Sequence, residues 1–329
     1  MSLSGKRVLI TGAGGFIGSH LTEELVTSGA KVNAFVKYNS RSDWGLLEEL
    51  PKEVRAEVDI TAGDLKDADA VRRACKDKQI VFHLGALIAI PYSYLNPRDH
   101  IETNVIGTLN IMTGCRDAGV ERVVHTSTSE VYGTARYTPI DEEHPLQGQS
   151  PYSASKIGAD KIAESFHLSY ELPVSTVRPF NTYGPRQSAR AVIPTIISQA
   201  LTGPEVRLGS LTPERDLLFV KDTVRGFMMA ADNEATIGEA VNLGSGKKIS
   251  IGDLADKIIA LIGKSCKIVQ EDSRVRPGAS EVMVLMANTA KAKRILGWEP
   301  LNDLDDGLAA TIDYVRSNLS KFKTEIYNI

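Results

Sequence analysis

Tyr152 and Lys156, four residues apart in Tyr152-Ser-Ala-Ser-Lys156, are the pair in this 329-residue chain best suited to proton chemistry. At that spacing on a helix both side chains lie on one face, so an ammonium stands beside a phenol. A phenol, with an ordinary pKa of about 10, is a poor base at neutral pH. A neighbouring cation stabilises the phenolate and lowers that value, which makes the pair a device for deprotonating an alcohol.

A second constellation lies at the start of the chain. Thr11-Gly12-Ala13-Gly14-Gly15-Phe16-Ile17-Gly18 falls between an apolar run and a helical pattern. Glycines at 12, 15 and 18 let the chain turn tightly, let backbone N–H groups approach a pyrophosphate, and let helix pack closely on strand. The helix start then faces the negative charge. With Gly14, Phe16 and Ile17 in the same turn, the arrangement predicts a dinucleotide cradle, and a nicotinamide held there would add positive charge near the phenol. A P-loop is excluded, because Gly246-Lys247 would need a glycine where Val241 stands and Lys248 takes the Ser/Thr place. The second strand ends Phe35-Val36-Lys37-Tyr38-Asn39-Ser40-Arg41, with no carboxylate for the ribose hydroxyls of NAD. Lys37, Ser40 and Arg41 suit a 2′-phosphate and favour NADP. Asp64-Leu65 falls where an adenine edge would be met, although Asp64 would equally serve as a cap for the next helix.

Apolar runs of strand length alternate with amphipathic helix-length segments, the pattern of βαβ units and a mainly parallel sheet. Strands are expected near 7–10, 31–36, 56–60, 80–83, 122–126 and 174–178, with helices over 16–27, 67–76, 101–118 and 152–169. After Arg178 the rhythm breaks at Pro179, Pro185, Pro194, Gly203, Pro204 and Pro213, then returns to a strand near 240–243 and helices near 251–262 and 304–317. The expected fold class is α/β, a Rossmann-type doubly wound parallel sheet with a smaller C-terminal α/β lobe for the substrate. The nucleotide domain would take 1–178 plus about 217–243, and the lobe 179–216 and 244–329.

Composition narrows the partners. With 42% hydrophobic and 24% charged residues the chain is globular, and a net charge of −3 leaves no basic footprint for nucleic acid. The longest apolar stretch, 84–90, is far short of the roughly 20 residues that span a bilayer. The start, 1–10, runs into a strand without a separate cleavable apolar region, which reads as cytoplasmic. Cys75, Cys115 and Cys266 share no metal or disulfide spacing, the six histidines have no ligand spacing, and the acidic 141–144 reads as a solvated turn.

The glycine turn with Tyr152-x-x-x-Lys156 resembles the short-chain dehydrogenase/reductase superfamily, and the length and motifs are similar to its extended, sugar-nucleotide-modifying branch over nearly the whole chain. That resemblance implies that Asn104 in Thr103-Asn-Val-Ile-Gly107 supports the active site. Leu84, Gly85 and Ala86 would join the cofactor contacts, with Asn104, Tyr152 and Lys156. In Ser127-Thr128-Ser129-Glu130-Val131-Tyr132-Gly133, Thr128 would hydrogen-bond the sugar O4. Glu130 stands where the branch's 4,6-dehydratases carry an acid and its C4-epimerases typically do not. The Thr-Ser-Glu triplet is similar to the GDP-mannose 4,6-dehydratases; Ser129 departs from the Thr-Asp-Glu of the dTDP-glucose enzymes, so proton donation would fall to Glu130 or a relay through Ser129.

Asn181 in Arg178-Pro-Phe-Asn-Thr-Tyr-Gly-Pro-Arg186 would meet the sugar or diphosphate. Arg215 and Arg276 would clamp the diphosphate, with Arg186 and Val192 also on the substrate side. A guanidinium suits phosphate better than an ammonium does. Segments 88–94, 126–133, 149–152 and 186–190 are also similar to the NAD-dependent 4,6-dehydratases acting on nucleotide-linked N-acetylglucosamine in legionaminic-type sugar pathways. The implied activity is a nucleoside-diphosphate-hexose 4,6-dehydratase using NAD or NADP, with an N-acetylglucosamine or GDP-mannose type of substrate. A homodimer through helices 101–118 and 152–169 is implied, with no metal, nucleic acid or membrane. A C4-epimerase of the same fold, or a nucleotide-sensing relative without chemistry, is the alternative.

Overall fold

The computed structural model describes residues 3–324, so the outermost positions of the expected leader-free start and of the expected C-terminal lobe lie outside the described residues. Seven parallel strands form one sheet: β1 (Arg7–Thr11), β2 (Lys31–Lys37), β3 (Val58–Gly63), β4 (Ile80–His83), β5 (Arg122–Thr126), β6 (Val174–Pro179) and the strand Ala240–Leu243. Their spatial order is Ala240–Leu243, β6, β5, β4, β1, β2, β3. Val8, Leu9 and Ile10 of β1 and Val81 and Phe82 of β4 are fully buried, as strands covered by helices on both faces must be. The order reverses between β1 and β4, which opens a crevice at the carboxyl ends of those strands. Register sets Thr11 opposite His83 and His83 opposite His125, so the ends of β1, β4 and β5 lie side by side beneath that crevice.

Three local expectations are corrected. The third strand runs over 58–63 rather than 56–60, because Lys52–Ala56 folds as a short helix after Pro51. Helix Ala68–Cys75 is capped not by Asp64 but by Asp67, whose carboxylate accepts the N–H groups of Asp69 and Ala70. The single helix expected over 101–118 is two pieces, a wide i→i+5 turn at Ile101–Ile106 and a regular helix Gly107–Ala118 that Gly119 ends at φ 64.

Beyond β6 the chain builds small two-stranded sheets. Strand β7 (Asn181–Tyr183) pairs in parallel with Leu217–Phe219, Glu214–Arg215 pairs antiparallel with Ile249–Ser250, and Glu205–Leu208 pairs in parallel with Lys267–Gln270. Helices Val192–Thr202, Ile251–Ile262 and Leu304–Ser317 pack over them. One continuous apolar cluster runs from Val8, Ile10 and Leu21 through Phe219 and Phe227 to Ile196, Leu254 and Leu308, so both lobes share a core.

Candidate active site

The helix Phe16–Thr27 begins at Gly15, whose extended backbone carries no side-chain cap, and this leaves N–H groups at the crevice free for an anion. Gly12 turns at φ 70, and a Cβ there would sit 2.8 Å from the Gly85 nitrogen; one on Gly18 would sit 2.2 Å from the Gly12 oxygen. No larger residue fits either place. The Leu46 N–H bonds the Gly14 carbonyl at 3.0 Å and draws the loop after β2 against the turn. In that loop Asn39 accepts the N–H groups of Arg41 and Asp43 and donates to the Asp43 carbonyl. Lys37, Ser40 and Arg41 are exposed along this rim, Arg41 at 83% with Asp43 3.5 Å away. An uncapped helix start and a cradle that admits only glycine fit a dinucleotide diphosphate.

The floor is held by His83, which accepts the Thr11 hydroxyl at 2.8 Å and donates to Thr108 at 3.0 Å; Thr11 also accepts the Gly85 N–H. Leu84 donates to the Thr11 carbonyl, and Ala86 lines a cleft of about 310 Å³ with Ile88, Tyr92 and Arg190. Leu65 is buried against Gly85 and Gly107, while Asp64 accepts the Lys66 N–H at the surface. Asn104 sits in the wide turn. Its amide oxygen takes the Leu87 N–H at 2.8 Å and its nitrogen donates to the Leu87 carbonyl and the Ser155 hydroxyl, which ties the cleft wall to the Tyr-Lys helix.

That helix, Pro151–Tyr170, starts where its sequence dictates: Ser150 and Ser153 form a reciprocal capping box and Pro151 takes the first position. Tyr152 and Lys156 follow on its buried face, 7% and 5% exposed. The Lys156 ammonium donates to the Thr126 carbonyl at 2.6 Å. Burial pushes it down to about 8, against the charge of Asp160. Burial also raises the Tyr152 phenol above its ordinary value; a hydrogen bond with Thr128 works the other way, and the charges of Glu130 and Asp160 raise it further. The expected lowering is therefore not achieved by the protein alone, which holds Tyr152 as a neutral phenol.

Thr128 caps a 3₁₀ turn, Ser129–Tyr132, by accepting the Glu130 N–H at 3.2 Å. Ser129 is buried and Glu130 half-buried, and the Glu130 charge bears on both Tyr152 and Arg215. Arg215 and Arg276 converge on one carboxylate, Glu281, at 3.1 and 3.5 Å. The Asn181 amide oxygen is buried and has no partner among the described residues. Val192 opens the helix Val192–Thr202.

The Arg186 guanidinium pairs with Glu23 of the glycine-turn helix at 2.6 Å, beside the bond from His20 to the Pro185 carbonyl at 2.9 Å, while its Nη1 is buried without a partner among the described residues. Segment 141–144 is not a solvated turn. Glu142 accepts the Asn242 N–H at 2.7 Å, and His144 is buried against Tyr132 and Tyr137. Sequence reasoning missed Glu281 and also Asp160, which continues the Tyr152, Lys156 spacing by one more helical turn. It missed as well a polar link ahead of the Tyr-Lys helix, where the Tyr94 hydroxyl donates to Ser280 at 2.6 Å, Ser280 donates to the Gln149 carbonyl at 2.7 Å, and the Gln149 amide donates to the Ala279 carbonyl at 3.1 Å. Among the described residues no group of His, Cys, Asp and Glu could hold a metal ion, and no helix is long and apolar enough to cross a membrane.

Residues 9–311 match the family model described as GDP-mannose 4,6 dehydratase. A UDP-glucose 4-epimerase of Mycolicibacterium smegmatis is 32% identical over 94% of this chain and 99% of its own length. A dTDP-glucose 4,6-dehydratase of Streptomyces antibioticus is 31% identical over 94% of this chain and 92% of its own. The solved structure of DesIV, a dTDP-glucose 4,6-dehydratase from Streptomyces venezuelae with NAD bound, superposes with a TM-score of 0.85 at 28% identity, covering 96% of this chain and 99% of that one.

Proposed function

We propose, for a chain that belongs to the extended short-chain dehydrogenase/reductase family of nucleotide-sugar epimerases and dehydratases, that its reaction is the 4,6-dehydration of a nucleoside-diphosphate hexose of the N-acetylglucosamine or GDP-mannose type. Glu130 carries this reading: a carboxylate two residues after Thr128, with its charge acting on Tyr152. An enzyme that only inverts C4 has no work for it.

Gly12, Gly14, Gly15, Phe16, Ile17 and Gly18 would hold the diphosphate of NAD or NADP, and Lys156 its nicotinamide ribose. A nicotinamide held there would supply the hydride acceptor for oxidation at C4 and the hydride donor for reduction at C6. Tyr152 takes the C4 hydroxyl proton as base, with Thr128 hydrogen-bonded to O4. The resulting 4-ketone acidifies H5. Glu130 removes that proton, and the C6 hydroxyl leaves as water, protonated by Glu130 or through Ser129. By count, one proton must be delivered to C5, equal in number to the one Tyr152 took from O4 and gives up again, which leaves a 4-keto-6-deoxy sugar and restores every base. Arg215, Arg276 and Asn181 would bind the diphosphate. Lys37, Ser40 and Arg41 support NADP over NAD. We place the enzyme in the cytoplasm, where its free thiols would remain reduced.

Incubation with UDP-, GDP- and dTDP-hexoses should remove the mass of one water from one of them. Glu130→Gln should slow water release by about a hundredfold or more while C4 hydride exchange continues, and Tyr152→Phe should stop both. Dehydration at the normal rate in Glu130→Gln overturns the assignment. The Mycolicibacterium relative favours a second reading, C4 epimerisation; a product inverted at C4 with unchanged mass would establish it instead.

A further inference from the structure

Asp160 is buried on the same helix face as Tyr152 and Lys156 and reaches the end of β5. It accepts the Nε2–H of His125 at 3.0 Å, the Ser127 hydroxyl at 2.6 Å and the Arg178 Nη2 at 3.3 Å. His125 and Ser127 flank Thr126, whose carbonyl receives the Lys156 ammonium at 2.6 Å. One carboxylate therefore pins the strand on both sides of the lysine's anchor.

The charges around it are unequal. His83 from β4 and His125 from β5 are pushed down by burial and stay neutral. Arg178 from β6 donates to the Tyr132 hydroxyl at 3.0 Å, which in turn donates to Asn242 at 2.7 Å. Glu142 acts on Tyr132, and the half-buried Glu130 acts on Tyr152. Among the described residues the buried shell thus holds the cations Lys156 and Arg178 against the anion Asp160. Its net charge is +1 with Tyr152 as a phenol and zero with it as a phenolate. Without Asp160, Lys156 and Arg178 would remain buried with no anion of that shell to offset them, a costly arrangement.

We infer that Asp160 is a positioning residue of the alcohol-oxidising step: it fixes the Thr126 carbonyl for Lys156 and supplies the buried countercharge that keeps the lysine an ammonium. The inference rests on the Tyr152–Lys156 oxidation, which dehydration and epimerisation share, and not on Glu130.

The test titrates Lys156 in the cofactor-free protein, labelled with ¹³C at lysine Cε and followed by NMR, the signal being assigned by its loss in Lys156→Arg. The wild-type midpoint is expected at about 8. Removing a buried anion favours the neutral amine, so Asp160→Asn should lower the midpoint by about one unit or more. An unchanged midpoint in folded Asp160→Asn overturns the proposal. Ser127→Ala keeps the charge and removes one clamp; the midpoint should stay, while kcat for hydride transfer in the holoenzyme falls about tenfold with KM for the sugar nucleotide unchanged. Full kcat there overturns the positioning role, and decides the matter alone where Asp160→Asn does not fold. The titration needs no turnover, so its outcome is separate from that of the dehydratase reading.

Discussion

Tyr152 begins as a phenol because burial outweighs the Thr128 hydrogen bond, so its conversion to a base must await the charge that a bound cofactor brings. At the cofactor rim the question is one of exposed cations. Arg41 has one weak contact with Asp43, and Lys37 stands free of any strand-end carboxylate. A 2′-phosphate meeting both would gain charge-assisted bonds, so Lys37→Ala with Arg41→Ala should raise the Kd for NADP by about tenfold and leave that for NAD nearly unchanged. Isothermal titration checks this, and equal losses for both cofactors would remove the lean toward NADP. Tyr152, Lys156 and the glycines were legible because helical spacing and turn geometry are local. The place of Arg186 was not, because its partner Glu23 is 163 residues away and only the packing of lobe on helix brings them together.

Elements were legible where periodicity alone decides them, as in β1, β4 and the helix Pro151–Tyr170. The wide turn at Ile101–Ile106 escaped notice because its cause is distant: Asn104 must satisfy both backbone groups of Leu87 and the Ser155 hydroxyl at once. The glycine-turn helix is tied to the segment before Val192 by His20, whose imidazole burial pushes down to about 4 despite its bond to the Pro185 carbonyl. The unfolded imidazole titrates near 6.5, so below that pH the unfolded chain binds a proton the folded one refuses. Stability should therefore fall as pH drops from about 6.5 to 4, by up to about 3 kcal/mol from this residue, and His83 and His125 act in the same direction. His20→Gln should flatten the plot of Tm against pH in that window, and an unchanged slope would count against the assignment.

For the whole molecule, the parallel sheet followed from alternating strand and helix patterns, whereas the strand order and the continuous core beyond the sheet did not, since local periodicity carries no record of which strand or helix meets which. The chain also leaves Leu95, Ile101, Ile106, Leu168 and Tyr170 exposed on or near the two helices expected to pair. A second copy would cover them. Sedimentation should give a dimer, and Ile106→Glu with Leu168→Glu a folded monomer; a monomeric wild type would dismiss the pairing. The link from Tyr94 through Ser280 to Gln149 joins the segment around residue 280 to the residues just ahead of Tyr152. Three small polar contacts therefore couple the start of the Tyr-Lys helix to a segment 131 residues further along, so that any disturbance around Ser280 is handed toward the phenol through side-chain and carbonyl groups.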